Sequence, residues 1–250
     1  MKKGFRILKF KKDKPIFEVQ NVSKSFNGRS VLKKLSLKVF PGEIVGILGP
    51  NGCGKTTLFS MCIGEQNIEG GKILLNNKAI DQIPIHLRAE EGLGYLPQQR
   101  SVFNMSVYDN ILGVAQISIK GIDKQKEITE KLLDEFNLQH LRSLNANVLS
   151  GGELRRLMMA RVMINDPKVV LLDEPYAALD PLIIQDISKY ILSIQAKKTS
   201  IIVSDHNVKN LFDIVDRAYV LGSQGVIAEG TPRELLKSSK AVESYFGSNF

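Results

Sequence analysis

The segment Gly49-Pro50-Asn51-Gly52-Cys53-Gly54-Lys55-Thr56-Thr57 carries the spacing G-x-x-x-x-G-K-[ST], a pattern that binds phosphate. Its glycines let the backbone bend until successive N–H groups face one anion. Lys55 adds a mobile cation for the β- and γ-phosphates, and Thr56 offers a hydroxyl oxygen to Mg²⁺. All nine residues are candidates for contact with a nucleoside triphosphate. The motif needs a strand before it and a helix after it. Glu43–Leu48 reads as a short buried strand and Lys55–Ile63 as a helix, whose N-terminus adds positive potential. Cys53 lies inside this cradle. A helix N-terminus favours thiolate, so Cys53 is expected to react with alkylators unless it is buried and inert. Cys62, about two turns into the helix, is expected to react less.

A second constellation lies further along the chain. The apolar run Val169-Val170-Leu171-Leu172 ends in Asp173 and Glu174. The C-terminal end of a buried parallel strand is where acids can face a ligand. Asp173 is expected to hold Mg²⁺, directly or through water, and Glu174 to accept a proton from the attacking water. A third segment, Leu149-Ser150-Gly151-Gly152-Glu153, contains S-x-x-E ahead of a helical pattern with Leu154, Leu157, Met158 and Val162. That is a capping box. The glycines leave the N–H groups of Ser150, Gly151 and Gly152 open to an anion, although an ordinary capped helix has the same local pattern.

These segments decide among phosphate-loop families. A GTPase needs Asn-Lys-x-Asp for its base, and Asn77-Lys78-Ala79-Ile80 lacks the acid. Leu149–Glu153 resembles the signature sequence of the ABC ATPase family, at a family-like distance before Asp173 and Glu174. The resemblance runs from about residue 16 to residue 250 and implies further roles. Gln98, after Gly94-Tyr95-Leu96-Pro97, is similar to the glutamine that senses metal and attacking water. Asp180 in Leu179-Asp180 resembles the D-loop acid. His206 in Ser204-Asp205-His206 resembles the switch histidine that contacts the γ-phosphate. Phe26 occupies the position of the aromatic ring that stacks on adenine, usually a tyrosine; stacking survives without the hydroxyl. The implied catalytic set is Glu174, His206, Gln98 and Lys55. The implied metal set is Thr56, Gln98 and Asp173, with ATP and Mg²⁺ as cofactors. In this family the signature helix of one subunit closes on the phosphate loop of another. A head-to-tail homodimer is therefore expected, with a heterodimer as the alternative.

Several segments resemble the lipopolysaccharide-export ATPases of Gram-negative bacteria: Asp205-His206-Asn207-Val208, Asp216–Val220, Glu229-Gly230-Thr231-Pro232, Ser106–Asn110 after Phe103, and the terminal Tyr245–Phe250. The resemblance implies a peripheral subunit on the cytoplasmic face of the inner membrane, powering export through transmembrane partners. Phe103 is expected to anchor those partners, unless it packs inside the helical block. Two features depart from that family's pattern. Asn104-Met105 stands where a pair of arginines is usual, and Ala177-Ala178-Leu179-Asp180 replaces Ala-Gly-Val-Asp. The alternatives are an importer ATPase of the branched-chain amino-acid type and a soluble, non-transport ABC ATPase.

The elements that must position these residues follow from periodicity. Strand patterns at 16–22, 31–39, 72–75, 168–172, 200–203, 218–221 and 226–228 mostly alternate with helical stretches. The expected fold is α/β: a phosphate-loop core with a mostly parallel sheet, an antiparallel β subdomain, and an inserted α-helical subdomain at about residues 99–165. No apolar run approaches the ~18 residues that span a bilayer, and the start lacks the pattern of a signal peptide. Two cysteines exclude a disulfide framework and point to a reducing compartment. Of the net charge of +8, +6 falls within residues 1–15. That basic extension, interleaved with Phe5, Ile7, Leu8 and Phe10, is either a solvated tail or a contact to an anionic membrane. No nucleic-acid partner is expected.

Overall fold

A computed structural model of the chain describes residues 14–238 and Glu243. The basic extension, except Lys14 and Pro15, and the terminal Tyr245–Phe250 motif lie outside the described residues. In chain order the elements are β1 (Phe17–Phe26), β2 (Arg29–Val39), β3 (Ile44–Leu48), α1 (Lys55–Ile63), β4 (Gly70–Leu75), β5 (Lys78–Ala79), α2 (Ile85–Glu90) and β6 (Leu93–Leu96). There follow α3 (Val107–Ser118), α4 (Ile122–Glu135), α5 (Gly151–Val162), β7 (Val169–Asp173), α6 (Pro181–Ala196), β8 (Ser200–Ser204), α7 (Val208–Phe212), β9 (Arg217–Leu221), β10 (Val226–Gly230) and α8 (Pro232–Lys237).

The strands form two sheets. An antiparallel sheet has the order β2-β1-β4-β5, and a six-stranded sheet has the order β10-β9-β3-β8-β7-β6. In the larger sheet all neighbours pair in parallel except β10. The β1–β2 hairpin closes through Asn27 and Gly28, both at positive φ, as a two-residue hairpin turn requires. β3, β7 and β8 are buried at every residue, the mark of parallel strands covered on both faces.

The pleat sorts these strands between two cores. Val45, Ile47, Val169, Leu171 and Ile202 pack with α1 and the antiparallel sheet. Ile44, Leu48, Val170, Leu172, Ile201 and Val203 pack with the helices on the other side. Alternation of successive side chains to opposite faces makes one sheet serve both layers.

Among the elements not expected from the sequence are β6 and α2. β6 is four residues long, and its apolar ends, Leu93 and Leu96, do not alternate. Its Gly94 lies against α5: a Cβ there would come within 2.8 Å of Val162 Cγ1. α2 is short and largely exposed, but its Arg88 is buried. Arg88 donates to the carbonyls of Met61 and Cys62 and so closes the C-terminal end of α1.

Strand order fixes where the chemistry lies. β3, β8, β7 and β6 are neighbours that run in parallel, so their C-terminal ends share one edge. β3 runs into the phosphate loop, β8 into Asp205 and His206, β7 into Asp173 and Glu174, and β6 into Pro97 and Gln98. Four segments distant in sequence thereby meet at one rim.

Candidate active site

At this rim a cleft of ≈ 620 Å³ is lined by Val31, Asn51, Gly52, Gly54, Lys55, Thr56, Thr57, Gln98, Glu174 and His206. The phosphate loop wraps its lower wall. Gly54 sits at φ 104 immediately before α1, and a Cβ there would lie 2.7 Å from Leu32 Cδ2. Any side chain there would be strained and would press into Leu32. Lys55 is buried, and its Nζ donates to the carbonyls of Gly49 (2.8 Å) and Pro50 (3.1 Å). Those carbonyls hold the ammonium against the loop.

The acids are placed by β7 and β8. Asp173 is 1% exposed; its Oδ1 accepts from Ser204 Oγ at 2.6 Å, and Tyr95 OH lies 3.5 Å from its Oδ2. Burial first, then the charge of Asp173, pushes the Tyr95 hydroxyl well above its ordinary pKa. Glu174 has φ 45, a conformation that costs a non-glycine residue energy and is retained where its surroundings hold it. Its N–H donates to Ser204 O at 3.0 Å. Its carboxylate reaches across the cleft, where Gln98 Nε2 donates to Oε2 at 2.7 Å and His206 Nδ1 lies 3.8 Å away. Gln98 and Glu174 are 76 residues apart in the chain. Ser204 and Tyr95 are the members of this set that sequence reasoning missed as functional. Ser204 precedes the Asp205-His206 pair, and that adjacency was the available signal.

Mg²⁺ takes hard oxygen ligands and keeps several waters or phosphate oxygens around it. Thr56, Asp173 and the Oε1 of Gln98 fit that donor set. Among the described residues no group of three or more His, Cys, Asp or Glu could hold a metal ion.

Phe26 ends β1 with its ring 42% exposed and Lys24 Nζ 5.3 Å from the centroid. It does not line the cleft itself, and neither do Gly49, Pro50 and Cys53. The expectation that Cys53 favours thiolate is corrected. Its side chain is buried, in the space a Cβ on Gly49 would need, and burial pushes the thiol up against the opposing charge of Lys55. Burial raises Cys62 further, to about 12.

The signature segment lies apart. Ser150 caps α5 in a full capping box with Glu153. Its hydroxyl and N–H hold the Glu153 carboxyl below the usual range. Neither Ser150, Gly151 and Gly152 nor Asp180 lines the cleft. Asp180 precedes α6 without capping it through its side chain.

Comparison with known proteins agrees with this arrangement. Residues 32–177, more than half of the chain, match the ABC transporter family model. The lipopolysaccharide export system ATP-binding protein LptB of Haemophilus influenzae is 40% identical over 237 residues, covering 94% of this chain and 98% of that protein. LptB of Escherichia coli K12 is 40% identical over 233 residues, 92% and 97% of the two chains. Among solved structures, MJ1267, an ATP-binding cassette of an ABC transporter, superposes with a TM-score of 0.86 at 27% identity, covering 94% of this chain and 100% of that one. CbiO1 of Clostridium perfringens, part of the transporter complex cbiONQ, gives 0.83 at 29% identity over 92% and 94%. The chain belongs to the ABC transporter family, as an ATP-binding and ATP-hydrolysing subunit similar to the lipopolysaccharide-export ATPases.

Proposed function

We propose that two copies of this chain pair head to tail and power export of lipopolysaccharide from the inner membrane. Each ATP is held between the phosphate loop of one copy and the signature helix of the other. The observation that carries the paired reading is the lining of the cleft. Phosphate loop, Gln98, Glu174 and His206 are there, whereas the open N-terminus of α5 is not. The cargo reading rests on similarity to LptB over nearly the whole chain.

In this mechanism Lys55 exchanges two backbone carbonyls for the β- and γ-phosphates, and the loop N–H groups and the α1 N-terminus hold the remaining oxygens. Phe26 offers its ring to adenine. When bound through Thr56, Gln98 and Asp173, Mg²⁺ neutralises charge on the phosphates. Glu174 accepts the proton of the attacking water, Gln98 orients that carboxylate, and His206 faces the γ-phosphate. Ser150, Gly151, Gly152 and Asp180 of the second copy complete the enclosure. Closure and opening then move the attached membrane subunits between two states.

The membrane subunits dock beside Phe103. Its ring is 46% exposed and stacks on the Arg161 guanidinium at 4.6 Å. Arg161 in turn lines a groove with Ala89, Tyr95, Pro97 and Val114. Among the described residues no helix is long and apolar enough to cross a membrane. Phe103→Ala is expected to leave the melting temperature and basal ATPase activity of the free subunit nearly unchanged, while membrane subunits no longer co-purify with a tagged copy. Losing a core phenylalanine instead costs ~3–5 kcal/mol. A large fall in melting temperature, or full retention of the complex, rejects the docking role.

A further inference from the structure

The mechanism above makes no use of one buried hydroxyl at the catalytic rim. Ser204 ends β8 and is fully buried. In the parallel ladder it stands opposite Asp173, the last residue of β7. Its Oγ donates to Asp173 Oδ1 at 2.6 Å. The same Oγ accepts from the N–H of Glu174 at 3.3 Å, and the Ser204 carbonyl accepts from that N–H at 3.0 Å.

A serine hydroxyl has one proton and two lone pairs. An ionised carboxylate only accepts, so the proton goes to Asp173 and a lone pair is left for Glu174. Ser204 and Asp173 are both buried. There a charge-assisted hydrogen bond is strong and a missing one is costly. The short bond occupies Oδ1 of Asp173. Oδ2 has Tyr95 OH beside it at 3.5 Å, too far for a strong bond, and is the oxygen left for a metal ion or its water. Glu174 needs holding for a separate reason. At φ 45 its backbone is in a conformation that costs a non-glycine residue energy, and both acceptors of its N–H belong to Ser204.

We propose that Ser204 is a positioning residue whose single hydroxyl sets the metal-binding carboxylate of Asp173 and the backbone of the base Glu174 in one register. Without the hydroxyl, Asp173 is free to turn and Glu174 keeps one of its two acceptors. One substitution therefore disturbs metal binding and proton transfer together. The inference rests on the roles proposed for Asp173 and Glu174.

The test uses the full chain with S204A, S204T and S204C. Titration calorimetry reads ATP affinity in Mg²⁺ and in EDTA, and steady-state assays read kcat at saturating Mg²⁺. S204A should lose about tenfold of the affinity that Mg²⁺ adds, keep ATP affinity in EDTA within about threefold of wild type, and lower kcat about 10- to 100-fold. S204T keeps the hydroxyl and should stay within about threefold of wild type in all three. S204C fills the same space with a weak donor and should shift in the direction of S204A, which keeps the test open if S204A does not fold. Wild-type Mg²⁺ dependence and kcat in S204A or S204C overturn the proposal. So does a change in only one of the two, S204T no better than S204A, or an equal loss of affinity in EDTA, the mark of a merely structural role. Wild-type Mg²⁺ dependence in D173N, or normal turnover in E174Q, would instead fault the site assignment itself, and so the two failures are distinguishable.

Discussion

Replacing Glu174 with glutamine is expected to cut ATP hydrolysis by ~10²–10⁴, the scale of losing a general base, while nucleotide binding persists. The amide has the size of the carboxylate, and its oxygen can still accept the hydrogen bond that Gln98 Nε2 now gives to Oε2. The backbone of residue 174, held at φ 45 by the N–H bond to Ser204 O, has no reason to change. What disappears is the ability to take a proton from water. With chemistry slowed and closure intact, the ATP-bound pair should accumulate. Light scattering should report a dimer in MgATP, and a phosphate-release assay should report the loss of turnover. Near-normal turnover would reject Glu174 as the base.

Lys55→Ala should fail one step earlier. The Nζ of Lys55 is the buried cation of the phosphate loop, and two backbone carbonyls hold it now. A charge-assisted hydrogen bond contributes ~1.5–3 kcal/mol, so its loss should weaken MgATP binding about 10- to 100-fold. Titration calorimetry measures this directly. No dimer should form in MgATP, in contrast to the Glu174 variant. Unchanged affinity would contradict the placement of the phosphates.

The contrast between these two residues shows what the sequence makes legible. α1 spans Lys55–Ile63, the range expected, because the glycine-rich loop marks its start and Gly64 its end. The capping box of Ser150 and Glu153 is equally local and equally readable. β6 was not readable: Gly94 and Tyr95 interrupt the apolar pattern between Leu93 and Leu96, and its stability comes from pairing with β7 and from α5 packed on Gly94. The same limit applies within the site. The Gln98–Glu174 bond and the Ser204 clamp on Asp173 both join distant segments. They exist because β6, β7 and β8 are neighbours, and strand order has no local signature. Resemblance to a family supplied Gln98 and His206 where periodicity could not. Cys53 failed for a different reason. A helix N-terminus argued for thiolate, but the side chain turns into the core beside Gly49, and burial outweighs the field.

The central claim is that each ATP site is built from two copies, and mixing two inactive chains tests it most directly. Lys55→Ala removes the phosphate-loop cation. Ser150→Asp keeps a residue able to cap α5 but sets a negative charge against the phosphates. Each variant alone should be inactive. In their heterodimer, one site combines the intact loop of the Ser150 variant with the intact signature of the Lys55 variant. A mixed dimer has one working site in two, so an equimolar mixture should recover turnover that neither variant shows alone, up to about half of wild type. A mixture no more active than its separate components would show that loop and signature act within one copy, and would contradict the account.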